Sequence, residues 1–152
     1  MTDNFYRSLC VLALLALATV STRAQEQRVR LKDLPPAVQK AVREQSKGAR
    51  LRGLSKEVEA GKTVYEAELL VNGHNKDLLL DADGNVLEIE EQVARAALPE
   101  PVKAALAKEA GKNRVLLIES ITKGGQLTAY EAHLRKGGKA VELKFAPDGK
   151  LL

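Results

Sequence analysis

The sequence predicts an α+β fold of two tandem repeats, each a helix followed by an antiparallel meander, with the helices packed on one face of the sheet. Residues 61–87 and 126–152 share 10 identical positions out of 27 at an offset of 65. Each copy opens with a Leu-Pro helix start and ends with an Asp-Gly turn. Between these signals, apolar and polar residues alternate with a period of two, which is typical of a sheet covered on one side.

The N-terminal residues 1–24 are typical of a secretory signal peptide. Arg7 precedes the apolar run Leu9–Val20, which covers 12 residues. This is shorter than the roughly 20 residues that cross a bilayer as a helix. Cleavage is expected after Ala24, with Ala16–Ala18 as an earlier alternative. We therefore expect a periplasmic or secreted protein with no stable membrane span after signal cleavage.

The composition is that of a globular domain, with 45% hydrophobic and 29% charged residues in a chain of 152. Aromatic residues make up 3%, which argues against stacking platforms for sugars or single-stranded nucleic acid. The lone cysteine, Cys10, lies in the predicted signal peptide, so thiol catalysis and cysteine-based metal sites are not expected. The net charge is +4, but basic residues are interspersed with acids, so nucleic acid is not an expected partner.

Residues 25–33 are polar and basic, and they are predicted to form a flexible lead-in to the first repeat, residues 34–92. The second repeat covers residues 93–152. Proline suits the first turn of a helix, so Leu34-Pro35 and Leu98-Pro99 mark the two helix starts. The apolar stripes at helical spacing are Val38, Ala41 and Val42 in the first helix, and Val102, Ala105 and Leu106 in the second.

Three or four strands are predicted after each helix. The first of them are Arg50–Glu59 and Arg114–Lys123, and a fourth strand is predicted at Asn85–Glu90 with Leu87 and Ile89 facing the core. One helix over so few strands buries little apolar surface, so the two repeats are expected to share a continuous sheet or to pack against each other. The apolar rows of the second strands are Tyr65, Ala67 and Leu69 in the first repeat, and Tyr130, Ala132 and Leu134 in the second.

These motifs resemble those of the PepSY-like family of bacterial secreted proteins, and in particular its tandem-copy, β-lactamase-inhibitor-protein-like members. The resemblance covers Leu34 to Leu152. It implies helices on one face of a sheet, a role in restraining or binding other proteins such as peptidases of the cell envelope, and no catalytic residues. The matching residues are Leu34-Pro35 with Val38, Tyr65-Glu66 with Leu69, Asp83-Gly84 with Val86, and their counterparts Leu98-Pro99 with Val102, Tyr130-Glu131 with Leu134, and Asp148-Gly149 with Leu151.

Two features invite a metal-binding interpretation, and the sequence favours neither. The loop Asp81–Asn85 has its glycine at the fourth position and Gln92 at the twelfth, whereas a calcium loop needs glycine sixth and glutamate twelfth. Asp-Gly is instead typical of a hairpin turn. His74 and His133 lie at non-equivalent places in the two repeats, so a shared metal is not expected. The sequence thus predicts no catalytic, cofactor or metal residues.

The polar rows of the second strands are the candidate partner-binding surface, and solvent is expected to cover them. We interpret the chain as a secreted or periplasmic, non-enzymatic binding protein that restrains or inhibits an envelope peptidase or another protein. The alternatives are an enzyme or metal-binding protein that uses the acidic sheet face, and an accessory structural protein of the envelope. Glutamates that converge in a pocket with raised pKa values would favour the enzyme. The candidate residues are Glu66, Glu68, Glu131, His133 and Arg135.

Overall fold

The computed structural model describes residues 26–59 and 61–152, so the predicted signal peptide lies outside the described residues. In this part of the chain, an eight-stranded antiparallel sheet runs in chain order from β1 to β8. The predicted α+β fold of two helix-plus-meander repeats is confirmed. The helices are α1 (Pro36–Gln45) and α2 (Glu100–Ala110), and the strands are β1 (Gln27–Arg28), β2 (Arg50–Glu59), β3 (Lys62–Val71), β4 (His74–Leu80), β5 (Val86–Gln92), β6 (Arg114–Lys123), β7 (Gln126–Lys136) and β8 (Lys139–Phe145).

The two repeats are joined edge to edge into one continuous sheet. Strand β5 closes the first meander and pairs antiparallel with β6, the first strand of the second, with Glu90 opposite Ile121. Of the two expected arrangements, the shared sheet is the one that forms. It removes two sheet edges that would otherwise carry unpaired backbone groups.

Each helix covers the core of its own repeat. Helix α1 has Pro36 in its first turn, where the missing N–H costs no intrahelical hydrogen bond. Val38 and Val42, on its sheet-facing side, are 0% and 1% exposed. Helix α2 repeats the design with Val102 and Leu106. Neither described helix has the length and apolar composition needed to cross a membrane.

The apolar rows predicted for the strands line these two cores. Ala67 and Leu69 of β3 are buried beneath α1, and Tyr130 of β7 is 9% exposed beneath α2. The prediction was wrong for Leu87, which is 41% exposed. A bulge between β4 and β5 changes the register there, so Val86 packs on the core in its place.

The predicted flexible lead-in is wrong for most of its length. Gln27–Arg28 pairs with β2 as an added edge strand, and Leu31–Asp33 forms a 3₁₀ turn. The Val29 N–H donates to the Leu54 carbonyl oxygen at 3.0 Å, and the Val29 side chain packs on the first core. The segment forms this structure because its backbone pairs with the otherwise open edge of β2. Its few apolar side chains also pack on the first core, although most of its residues are polar.

Both Asp-Gly turns pack against the first turn of the helix in the same repeat. A Cβ atom added to Gly84 would lie 2.7 Å from the Ala37 carbonyl oxygen, and one added to Gly149 would lie 2.6 Å from that of Pro101. Both glycines also have positive φ, +81° and +87°. The repeated glycine therefore allows a left-handed turn and a close backbone contact that fixes the helix over the sheet.

Gly149→Ala is expected to lower the free energy of unfolding by roughly 2–4 kcal/mol, because it adds a backbone clash to the cost of a left-handed alanine. Gly138→Ala is the matched control, since Gly138 has a φ of +80° but nothing within 4 Å of an added Cβ. Its cost should be about 1–2 kcal/mol. Urea unfolding measures both, and equal losses would contradict a role for the close contact.

Candidate functional site

The sheet face opposite the helices carries carboxylates from every strand between β2 and β8. The core residues of each strand point toward the helices, so alternation places their neighbours on the other face. The protein has a net charge of +4. This face is nevertheless rich in acidic residues. We call this surface the acidic face, and its carboxylates are Glu57, Glu66, Glu68, Asp77, Glu88, Glu90, Glu119, Glu131 and Glu142.

The acidic face is curled around a cavity of about 230 Å³. Glu57 of β2 and Lys144 of β8 both line this cavity. In a flat sheet these strands, six positions apart, would be separated by about 29 Å. Two apolar residues on the same face, Val64 and Ile121, are 4% and 1% exposed although no helix covers them. The expectation that solvent covers this face is therefore wrong, because the curvature of the sheet shields its centre.

Burial and mutual repulsion make three carboxyl groups in the cavity, those of Glu66, Asp77 and Glu90, hard to ionise. Asp77 and Glu90 are directly opposite each other on β4 and β5. Burial raises the pKa of each to about 7, and neighbouring carboxylates add to the shift, with Glu66 and Glu119 foremost around Asp77 and Glu131 and Glu119 foremost around Glu90. Burial also raises the pKa of Glu66, although the Ser55 hydroxyl donates to its carboxylate at 3.0 Å.

Several of these acids are in contact with cations. Arg28 reaches Glu68 at 2.6 Å through the space that Gly53 leaves, and Lys123 contacts Glu88 at 2.8 Å. Both of these cations lie at the rim, with side chains 63% and 56% exposed. Lys144 is the one basic side chain among the described residues that line the cavity, and it contacts Glu131 at 2.9 Å. The cavity therefore has an excess of negative charge.

A second group of polar side chains surrounds His133 on β7. Its Nε2 lies 3.0 Å from Glu119 Oε2 and 3.5 Å from Glu131 Oε1, and its Nδ1 lies 3.8 Å from Glu142 Oε1. The hydrogen bond to Glu119 is the main cause that raises the pKa of His133. Glu119 is 3% exposed, and among the described residues its Oε1 is a buried atom without a hydrogen-bond partner.

The five residues predicted from sequence do not form one cluster. Glu131 and His133 are in contact, and Glu66 lines the cavity in the other repeat, next to Glu68 along β3. Arg135 is exposed at the end of β7, where it donates to the Gly138 carbonyl oxygen at 3.1 Å.

Sequence reasoning missed the most perturbed acids, Asp77 and Glu90, and the most buried one, Glu119. For Asp77 a signal was available: Leu78 and Leu80 alternate toward the core, which places Asp77 on the opposite face. Glu119 lies in a strand whose apolar residues dominate the pattern, so its inward position depends on pairing with β7.

The Asp81–Asn85 loop forms the predicted hairpin turn. Asp81 accepts hydrogen bonds from the backbone N–H groups of Asp83 and Asn85, both at 2.9 Å. The Asn85 side chain donates to the other Asp81 oxygen at 2.9 Å, which lowers the pKa of Asp81. These bonds occupy both carboxylate oxygens within the turn.

Asp77→Asn is expected to change how stability depends on pH. Because the pKa of Asp77 rises from 3.8 to about 7 on folding, the native state binds more protons between these values, and wild-type stability falls as pH rises from 4 to 7. Asparagine removes that loss. The difference in free energy of unfolding between the variant and wild type should therefore shift in favour of the variant by on the order of 1–2 kcal/mol from pH 4 to pH 8. This figure is reduced for solvent screening.

Chemical unfolding at pH 4, 6 and 8 measures this difference. Glu66 and Glu68 of β3, Glu119 of β6 and Glu90 of β5 surround Asp77, while Arg52 of β2 opposes them. Asp83→Asn, in the exposed hairpin turn outside the cavity, is the control and should not reproduce the change that Asp77→Asn causes. Parallel profiles for wild type and Asp77→Asn would contradict the assignment.

Comparison with known proteins places the chain among proteins of the same architecture. A "putative periplasmic" protein from Bacteroides eggerthii is 18% identical, with a TM-score of 0.62 over 78% of this chain and 86% of that one. A BLIP-like protein from Bacteroides fragilis is 23% identical, with a TM-score of 0.55 over 78% and 83%. A DUF2874 family protein from Bacteroides uniformis is 17% identical, with a TM-score of 0.59 over 78% and 86%. These likenesses show the fold.

No curated protein matches the sequence. A family model does match, described as "Putative beta-lactamase-inhibitor-like, PepSY-like", and it covers residues 20–88 and 63–152. The two matches overlap in residues 63–88 and together span the whole described part of the chain. The chain therefore belongs to the PepSY-like, β-lactamase-inhibitor-like family.

Proposed function

We propose that this is a non-enzymatic binding protein of the periplasm, and that its acidic face binds a basic segment of another envelope protein. The predicted signal peptide and the "putative periplasmic" description of a structural relative support the location. The β-lactamase-inhibitor-like description of the family supports binding to a protein, with restraint of a peptidase as one form of it.

The observation that carries the proposal is the cavity of about 230 Å³ lined by five carboxylates and one lysine. These acids are held close together at a cost that the raised pKa values of Asp77 and Glu90 make visible. A lysine or arginine side chain placed among them would relieve the repulsion and stabilise the ionised forms. The lining acids are Glu57, Glu66, Asp77, Glu88 and Glu90.

The size of the cavity favours a side chain over a metabolite. Sites for drug-sized ligands and cofactors typically enclose about 300–1,000 Å³ and are mostly apolar. This cavity is smaller and its lining is mostly charged. The carboxylates around it, contributed by every strand from β2 to β8, extend the negative surface so that a basic segment can cross the sheet while one cation enters the centre.

Catalysis is the second candidate, because carboxyl groups with a pKa of about 7 exchange protons readily at neutral pH. Glu66, Asp77 and Glu90 do converge in a cavity with raised pKa values, which is the arrangement expected of an enzyme, but the carboxylates that extend across the whole face favour binding. The described residues that line the cavity offer carboxyl groups and the Lys144 amine as nucleophiles, and no hydroxyl, thiol or imidazole group that one of the carboxylates could activate. Turnover of a panel of peptide, ester and glycoside substrates, abolished by Asp77→Asn, would favour catalysis.

We expect the protein to bind an unstructured lysine- and arginine-rich peptide of about ten residues, and to ignore a peptide of the same length in which serine replaces the basic residues. Fluorescence anisotropy at low ionic strength measures the dissociation constants. Affinity should be higher at pH 8 than at pH 5.5, because Asp77 and Glu90 are ionised above their pKa of about 7. Salt should weaken binding.

The double variant Asp77→Asn, Glu90→Gln should weaken this binding about tenfold at pH 8, since it removes the central charges and keeps the shape of the side chains. The matched control is Asp83→Asn with Glu100→Gln, which removes two exposed acids outside the acidic face. If both double variants bind the peptide with equal affinity, the binding is nonspecific electrostatic attraction. That result would overturn the assignment to this face. Tagged protein incubated with envelope extract then tests for a natural partner.

A further inference from the structure

The cluster around His133 has the composition and spacing of a metal site. Ligands of a tetrahedral Zn²⁺ ion at about 2.0–2.1 Å lie roughly 3.3 Å from one another. His133 Nε2 lies 3.0 Å from Glu119 Oε2 and 3.5 Å from Glu131 Oε1, which brackets that separation. Glu119 and Glu131 are directly opposite each other on β6 and β7, and both contact the same ring nitrogen, Nε2.

An independent observation points to a ligand here. The Glu119 residue is only 3% exposed, and its Oε1 has no hydrogen-bond partner among the described residues. Leaving a buried carboxylate oxygen unsatisfied is costly, because the group loses its hydration and gains nothing in return. Its other oxygen, Oε2, contacts His133 Nε2 at 3.0 Å, so the carboxylate belongs to the cluster. A cation held by both oxygens of Glu119 would satisfy Oε1.

The surroundings of the imidazole also suit metal binding. His133 Nδ1 lies 3.8 Å from Glu142 Oε1, beyond hydrogen-bond distance but close enough that a small rotation of the Glu142 side chain would let it accept the second N–H of a metal-bound imidazole. Lys144 contacts Glu131 Oε2 at 2.9 Å and leaves Oε1 toward the histidine.

The equivalent place in the first repeat lacks this set. At the offset of 65, Glu131 corresponds to Glu66 and His133 to Glu68. Ser55 is opposite Glu66, where Glu119 is opposite Glu131. The repeat origin of the chain therefore explains the glutamate that both copies share, but not the histidine and the buried acid that only the second has.

We propose that His133, Glu119 and Glu131 bind one divalent transition-metal ion of the Zn²⁺ class, with Glu142 as the residue that positions the imidazole. One imidazole with carboxylates favours Zn²⁺ and its neighbours over Mg²⁺ and Ca²⁺, which take oxygen ligands, and over Cu⁺, which prefers sulfur. This departs from the absence of a metal site expected from sequence. It stands independently of the proposed binding of a basic partner.

Isothermal titration of the purified, chelator-treated protein with ZnCl₂ tests the proposal. One ion per chain should bind with a dissociation constant in the micromolar range or tighter, MgCl₂ should give no saturable heat, and saturating Zn²⁺ should raise the melting temperature. His133→Gln and Glu119→Gln should each weaken Zn²⁺ binding at least tenfold, and Glu142→Gln about tenfold.

The matched control is His74→Gln, which removes the other histidine at an exposed position on β4 and should leave Zn²⁺ affinity unchanged. Circular dichroism of each metal-free variant establishes that it is folded, and Glu142→Gln, at an exposed position, provides a readout if Glu119→Gln does not fold. The proposal is overturned if Zn²⁺ gives no saturable binding to the wild type, or if His133→Gln binds it as tightly as His74→Gln does.

Discussion

Side chains alternate between the two faces of a β-sheet, and the helices of this protein cover only one of those faces. Every strand between β2 and β8 therefore pairs an apolar row beneath a helix with a second row that no helix covers. The two short helices can cover the cores only because each is fixed over the sheet, by Val38 and Val42 in one repeat and by Val102 and Leu106 in the other. The composition of the uncovered rows then decides what the free face can do.

That free face is both acidic and partly closed. Curvature brings β2 and β8 to one cavity, so carboxylates that a flat sheet would leave in water are held among one another and against buried apolar residues such as Val64. Burial disfavours the ionised forms, and repulsion from neighbouring carboxylates adds to this, so the pKa values of Asp77 and Glu90 rise to about 7. A surface with such closely held carboxylates attracts any cation that can enter it.

The two repeats share their architecture and differ in the chemistry of this face. Tyr65 and Tyr130 occupy the same place beneath their helices, and Gly84 and Gly149 make the same close contact with a helix start. On the acidic face, by contrast, Glu68 in the first repeat corresponds to His133 in the second. Packing requirements explain why the first set recurs, since core volume and backbone approach tolerate little change. The open face has no such requirement.

The sequence by itself determined the repeat, the two helices, the first strands to the residue, and the apolar rows, because these follow from periodicities that are local in the chain. It also placed Glu66, Glu131 and His133 on one face. Only the tertiary structure decided that this face is enclosed, that the lead-in segment adds an edge strand, and which acids meet. Asp77, Glu90 and Glu119 become neighbours through strand pairing and sheet curvature, and both depend on contacts between residues far apart in the sequence.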